Sequence, residues 1–270
     1  MSELGRKSRL GRIFDYSSKT TIIVPMDHAV EEHFPQLNDP RHVIRSLTDS
    51  GVNAFLLRRG LARFAADEFI GRCGFVYRIS SASGLRPPSK RVEQAKVSSV
   101  EEAVKLGADA VAVNIFVGSE REVQDLTTFG EISDSCDEWG IPLLAETMPI
   151  GGKEAVPFDG PYSAQDVSMA ARVGAEEGAD IIKTYYTGSV DSFQQVVQNC
   201  PVPLIIAGGP KTKTTLDVLR MVKSAMDAGA AGVAMGRKIW GAEDPAKLVQ
   251  ALRKIIRDKA SVEDASASLS

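Results

Sequence analysis

The chain has 270 residues, 43% of them hydrophobic and 25% charged, an ordinary globular balance and enough for one sizeable core. A formal net charge of −3 leaves no field-level case for a nucleic-acid or anionic-membrane partner. Cys73, Cys136 and Cys200 are few, odd in number and far apart, which argues against a disulfide framework or a zinc site and fits a reducing compartment.

The N-terminal stretch MSELGRKSRLGRIF lacks the apolar core of a signal peptide. Its basic run, Arg6, Lys7, Arg9 and Arg12, reads as a solvated arm over 1–18. No apolar run approaches the roughly 18 residues that span a bilayer, so a cytosolic, unanchored protein is expected. The first strand is TIIVPMD, 21–27. A pattern then recurs: a helix-like segment, a Gly, one or two small or polar residues, and a short apolar run. It reads SGVNAFLL at 50–57, LGADAVAV at 106–113, WGIPLLAE at 139–146, EGADIIKT at 177–184 and AGAAGVAM at 228–235. Gly tolerates the left-handed conformation that ends a helix. A continuously apolar run fits a parallel strand buried on both faces. GFVYRIS (74–80) and PLIIAGG (203–209) complete the set, with strands starting near 21, 53, 74, 110, 142, 181, 203 and 232.

Helical spacing is clearest in 126–140 and 214–229. Strands alternating with helices predict an α/β fold, a single (β/α)8 TIM barrel over 1–270. An open doubly wound sheet is the alternative. The tail SVEDASASLS, 261–270, is expected to fray.

Barrel chemistry sits at the C-terminal ends of the strands. That rule points to Asp27-His28, Arg58, Arg78, Asn114, Glu146, Lys183, Gly208-Gly209 and Gly236-Arg237. Lys183 lies inside ADIIKTYYTG, where alternation puts Ile181, Lys183 and Tyr185 on one face. An ammonium within a buried strand is costly. Either it pairs with a carboxylate inside the barrel, or desolvation lowers its pKa and leaves an amine able to attack a carbonyl. IIAGGPK (205–211) and VAMGRKIW (233–240) place Gly208, Gly209, Gly236 and Arg237 where strands 7 and 8 of many barrels cradle a phosphate. The other reading of these glycines is tight turns without a ligand.

In DHAVEEHF, the residues His28, Glu32 and His33 are good metal ligands, but their spacing matches no familiar pair, and no metal or cofactor is expected. Asp27 reads as a proton shuttle at the barrel mouth, or as a salt-bridge partner of Lys183. Arg58 and Arg78 read as substrate contacts or as rim salt bridges, with the salt bridges favoured, and Phe116, Trp139 and Trp240 as packing.

MDHA, VNIFVGSE, IIKTYYTG, CPVPLIIAGGPK and MGRKIW together resemble the archaeal-type class I aldolases, over nearly the whole chain. That superfamily includes fructose-bisphosphate aldolases, transaldolases that make an aminodideoxyheptulosonate, and a branch that degrades a phosphorylated autoinducer. The resemblance implies Lys183 as the Schiff base lysine and Asp27 as an acid/base residue. It implies phosphate on Gly208-Gly209 and Gly236-Arg237, and a cytosolic homo-oligomer without metal. One departure stands out. Sugar aldolases and transaldolases of this type commonly carry Tyr-Pro-Arg-Gly after strand 5, with the Tyr as general acid. Here the stretch is Met148-Pro149-Ile150-Gly151, and Glu146, Lys153 or Tyr185 are the candidates to take over.

The expected activity is that of an aldolase or transaldolase acting on a small phosphorylated ketone, dihydroxyacetone phosphate or a ketose phosphate. The alternative keeps the lysine but transfers acetyl from a phosphorylated pentanedione to coenzyme A. A catalytically silent phosphosugar-binding barrel and a metal-dependent aldolase are the remaining readings.

Overall fold

A computed structural model describes residues 3–87, 90, 92–150, 163–209, 212 and 214–269. Eight parallel strands close into a barrel: β1 Thr21–Pro25, β2 Ala54–Leu57, β3 Gly74–Arg78, β4 Ala110–Val117, β5 Leu143–Pro149, β6 Ile181–Thr184, β7 Leu204–Ala207 and β8 Gly232–Ala234. Each strand pairs with its neighbours in sequence, and β8 returns to β1, so the open-sheet alternative is not what forms. Starts fall within one residue of expectation. The glycine pattern is the reason: Gly51 and Gly140 take positive φ (87° and 58°) as helix C-caps, and Gly107, Gly178 and Gly229 do the same in their turns.

Helix starts carry their own signals. Asp39, Ser163, Ser189 and Asp244 each accept a backbone N–H of the first turn, and Thr214 with Asp217 forms a capping box. The two helices read from spacing span Glu122–Trp139 and Thr215–Asp227.

Strand alternation sorts the core into two. Ile23, Leu56, Val76, Ala112, Leu144, Ile181, Ile205 and Ala234 fill the barrel interior. Their neighbours Ile22, Phe55, Phe75, Val111, Leu143, Ile182, Ile206 and Val233 face the helices. Phe116 and Trp240 are buried as expected, whereas Trp139 is exposed at the end of its helix. β4 and β5 are paired over seven registers, from Val111–Leu143 to Val117–Pro149, and form the tallest part of the wall.

Two expectations fail at the termini. The basic arm is a helix, Glu3–Ile13, whose Ile13 seals the bottom of the interior with Leu10 and Phe14. Its arginines are anchored: Arg6 on Asp137 and Asp180, Arg12 on Asp109, and Arg9 on the Gly140 carbonyl. The apolar face of Leu10, Ile13 and Phe14, set between the charges, docks the helix where charge alone predicts a solvated arm. The tail also departs from expectation. It carries a helix, Val262–Ser266, capped by Ser261, with Ala265 fully buried. A two-stranded antiparallel ribbon, Ser80–Ser81 with Ala95–Lys96, was not foreseen. No helix among the described residues is long and apolar enough to cross a membrane.

Candidate active site

Above the apolar interior layer the inward positions become polar. Two residues beyond Ile181, Leu144, Ala112 and Val76 on their strands stand Lys183, Glu146, Asn114 and Arg78. In register, Lys183 sits beside Glu146 and Glu146 beside Asn114. Asp27, two residues past the end of β1, completes the ring. Exposures of 5% for Lys183, 9% for Glu146, 4% for Arg78 and 8% for Asp27 mean that each charge needs a partner within the protein.

The partners form one chain. Lys183 Nζ donates to Glu146 Oε1 at 2.6 Å. Arg78 Nη2 donates to the other Glu146 oxygen, Arg78 Nη1 to Asn114 Oδ1, and Arg78 Nε to Asp27 Oδ2 at 3.0 Å. Arg58 spans the gap between β1 and β3, with Nε on the Asp27 carbonyl (3.2 Å) and Nη1 on the Ser80 carbonyl (2.9 Å). Burial by itself pushes the Glu146 carboxyl up, but Lys183 and Arg78 outweigh it and hold it down at about 2. Burial likewise opposes ionisation of Asp27, and Arg78, His28, Lys183 and Arg58 bring it to about 2. Both carboxylates are therefore ionised at neutral pH.

This geometry corrects two readings and decides a third. The salt-bridge partner of Lys183 is Glu146, one strand away, and not Asp27, whose bond is to Arg78. Arg78 is no rim residue. It lies inside the barrel and bridges both carboxylates, because a guanidinium offers several donors in one plane. The buried lysine does not stand alone in an apolar pocket; the ion pair offsets its burial.

The remaining candidates are placed as follows. Tyr185 lies just past β6, buried in the larger apolar cluster. Gly208 and Gly209 follow β7, and Gly236 opens the short helix Arg237–Trp240 after β8. A Cβ at Gly236 would stand 2.4 Å from the Pro25 carbonyl and 2.7 Å from His28 Cε1, so the backbone approach there admits only glycine. Arg237 is exposed at the mouth. Lys238, not singled out from sequence, packs its stem across Gly208 and donates from Nζ to Thr212 Oγ1 at 3.1 Å, joining the loops after β7 and β8. Lys153, Gly151, Pro210 and Lys211 lie outside the described residues.

His28 stacks edge-on against Phe34 and Trp240, with Nδ1 3.5 Å from Asp27 Oδ1 but without hydrogen-bond alignment. Burial pulls it down to about 4, against the opposing pull of Asp27, so it is a neutral imidazole at neutral pH. His33 turns away to Asn38. Among the described residues no three His, Cys, Asp or Glu side chains converge as a metal would require.

Chemically, the site holds a primary amine in hydrogen-bond contact with a carboxylate that can take its proton. A second carboxylate stands beyond a fixed guanidinium. That is the equipment for imine formation and for moving protons around the imine.

Comparison with known proteins agrees with this equipment. The chain is 34% identical over 263 residues to 2-amino-3,7-dideoxy-D-threo-hept-6-ulosonate synthase 1 of Archaeoglobus fulgidus, covering 97% of this chain and 94% of that one. It is 33% identical over 254 residues to 2-amino-4,5-dihydroxy-6-oxo-7-(phosphonooxy)heptanoate synthase of Streptomyces griseus, covering 94% and 90%. Among solved structures it resembles an archaeal fructose 1,6-bisphosphate aldolase, with TM-score 0.81, 31% identity and coverage of 93% and 98%. It also resembles a Schiff base forming fructose-1,6-bisphosphate aldolase, with TM-score 0.82, 31% identity and coverage of 93% and 99%. The model of the DeoC/LacD family of aldolases matches residues 21–242, from the first residue of β1 to just past the helix after β8, and the chain belongs to that family, as an enzyme of the Schiff-base aldolase type.

Proposed function

We propose that the chain is an aldolase or transaldolase that forms a Schiff base between Lys183 and a small phosphorylated ketone, dihydroxyacetone phosphate or a ketose phosphate. The observation that carries the reading is the buried contact of Lys183 Nζ with Glu146 Oε1 at 2.6 Å, at the catalytic end of β6.

In this reading Lys183 passes a proton to Glu146, and the freed amine attacks the ketone carbon. Loss of water from the carbinolamine gives an iminium. The iminium accepts the electron pair of the adjacent C–C bond as that bond breaks, leaving an enamine and releasing an aldehyde. A base takes the proton of the departing hydroxyl, and an acid later protonates the enamine carbon. Glu146 and Asp27 are the carboxylates placed for these transfers, and Arg78 positions both. Tyr185 stays a candidate proton donor in place of the tyrosine missing after β5.

The substrate phosphate is assigned to the backbone at Gly208, Gly209 and Gly236 with Arg237, and Lys238 supplies a further cation between the two loops. The acyl-transfer alternative finds no support in the relatives named above, which are synthases and aldolases. A cytosolic homo-oligomer completes the reading.

The test is borohydride trapping. The protein is incubated with dihydroxyacetone phosphate and borohydride and then mapped by peptide mass spectrometry. A reduced adduct on Lys183 is expected. If no phosphorylated ketone or dione leaves an adduct there, the reading is wrong.

A further inference from the structure

A cavity of about 510 Å³ lies outside the barrel wall, between β3 and β4, the Ser80–Ser81/Ala95–Lys96 ribbon and the helix Glu122–Trp139. Its floor is apolar and includes Val113 of β4 and Phe129 of the helix. Its rim is charged, and among the described residues that line it Lys96 and Arg121 stand against Glu120 and Asp125. Arg121 Nε and Asp125 Oδ1 stand 3.9 Å apart, too far for a hydrogen bond. Arg121 Nε and Asp125 Oδ2 are both buried without a hydrogen-bond partner. The two side chains form a loose i,i+4 ion pair; buried polar atoms of a folded protein are as a rule satisfied, and a pair that leaves buried atoms of both signs without hydrogen bonds points to a ligand that brings its own donor and acceptor.

The chemistry narrows that ligand. A dianionic phosphate would meet two carboxylates as well as two cations, so balanced lining disfavours it. A small molecule carrying one anionic group next to one cationic group satisfies both members of the pair, and the floor favours an apolar substituent beside them. We propose that this cavity binds a free α-amino acid with an apolar side chain, its carboxylate on Arg121 and Lys96 and its ammonium on Asp125.

The occupant would not be attacked by Lys183, because Ile79 and Val113, outward-facing residues of the wall, line the cavity. It would still touch the catalytic framework. Ser80 and Asn114 also line the cavity. On the site side, Asn114 accepts from Arg78 and the Ser80 carbonyl accepts from Arg58. The occupant is therefore an effector in contact with the residues that hold Arg78, a role independent of which ketone Lys183 attacks.

Isothermal calorimetry on the whole protein tests this without any reference to turnover. The probes are L-leucine and L-phenylalanine, with N-acetyl-L-leucine lacking the ammonium and L-leucinamide lacking the carboxylate. One of the free amino acids is expected to bind saturably, and each truncated analogue to bind about tenfold or more weaker, the cost of one lost charge-assisted contact. Arg121→Gln and Asp125→Asn each remove one charge at partly exposed positions and keep a polar side chain there. Each should cut affinity for the free amino acid by a similar factor, and Asp125→Asn should erase the preference over N-acetyl-L-leucine. No saturable binding at millimolar concentrations, or binding that both variants leave intact, overturns the proposal. A lysine adduct in the trapping experiment has no bearing on either outcome.

Discussion

Lys183 and Glu146 are direct partners in the β5–β6 ladder, and their side chains meet at 2.6 Å inside the barrel. Removing the lysine leaves Glu146 still bonded to Arg78. Lys183→Ala is therefore expected to fold with a Tm within a few degrees of the parent while losing the borohydride adduct entirely. Thermal scanning and mass spectrometry on the same preparation check both halves.

Glu146→Gln keeps the shape of the contact but removes the proton acceptor. Proton transfer by a positioned side chain is worth about 10²- to 10⁴-fold. Adduct formation should slow by a factor in that range, with the adduct still on Lys183. An unchanged trapping rate would show that another group takes the lysine proton.

Arg78→Ala strands buried Asp27, whose hydrogen-bonded cation it removes, and leaves Glu146 with Lys183 alone. Breaking a buried pair on one side costs about 3–5 kcal/mol, or roughly 6–20 °C in Tm for a chain of this size. Arg78→Lys should recover little of this, since an ammonium cannot reach Asp27, Asn114 and Glu146 at once. Differential scanning calorimetry of both variants decides it.

Acid should destabilise the protein in two stages. His28 is held down at about 4, below its ordinary value of 6.5, so between those values the unfolded chain binds a proton that the folded one does not. Stability falls as pH drops through that window. Glu146 and Asp27, ordinarily at 4.5 and 3.8, are held at about 2, and their contribution is lost as pH falls from about 4.5 toward 2. His28→Gln should remove the upper stage and leave the lower one, as read from Tm against pH.

Gly236→Ala places a methyl against the Pro25 carbonyl and the Trp240 indole nitrogen, 2.4 and 3.0 Å away. Pro25 is backbone and cannot turn aside, and Trp240 is tied by its hydrogen bond to that same carbonyl. The expected cost is about 1–3 kcal/mol, measured by urea unfolding.

The barrel was legible because its signals are local. A glycine that ends a helix and an apolar run that follows it are read within eight residues, and five such units place most of the strands. Lys183 was legible for a similar reason: a charge inside a buried run announces a cost that something must offset. What offsets it was not legible. Glu146 and Arg78 reach Lys183 and Asp27 from strands far away in the chain, and only the register of neighbouring strands brings them together. Lys238 escaped notice because its role depends on Gly208 of the preceding loop. The N-terminal helix was not legible from its charge, because the Leu10–Ile13–Phe14 face that docks it is scattered among basic residues.

Closure of the barrel also sets a timetable for biosynthesis. β1 needs β8 as its second neighbour, and Pro25 and Trp240, whose hydrogen bond fastens the seam, are 215 residues apart. At ribosomal rates of about 5–20 residues per second, the seam must wait roughly 10–40 s after β1 emerges. Through that interval β1 presents an unpaired edge to solvent and to neighbouring chains. The hazard in making this protein lies in the nascent polypeptide, before the site that defines the finished enzyme exists.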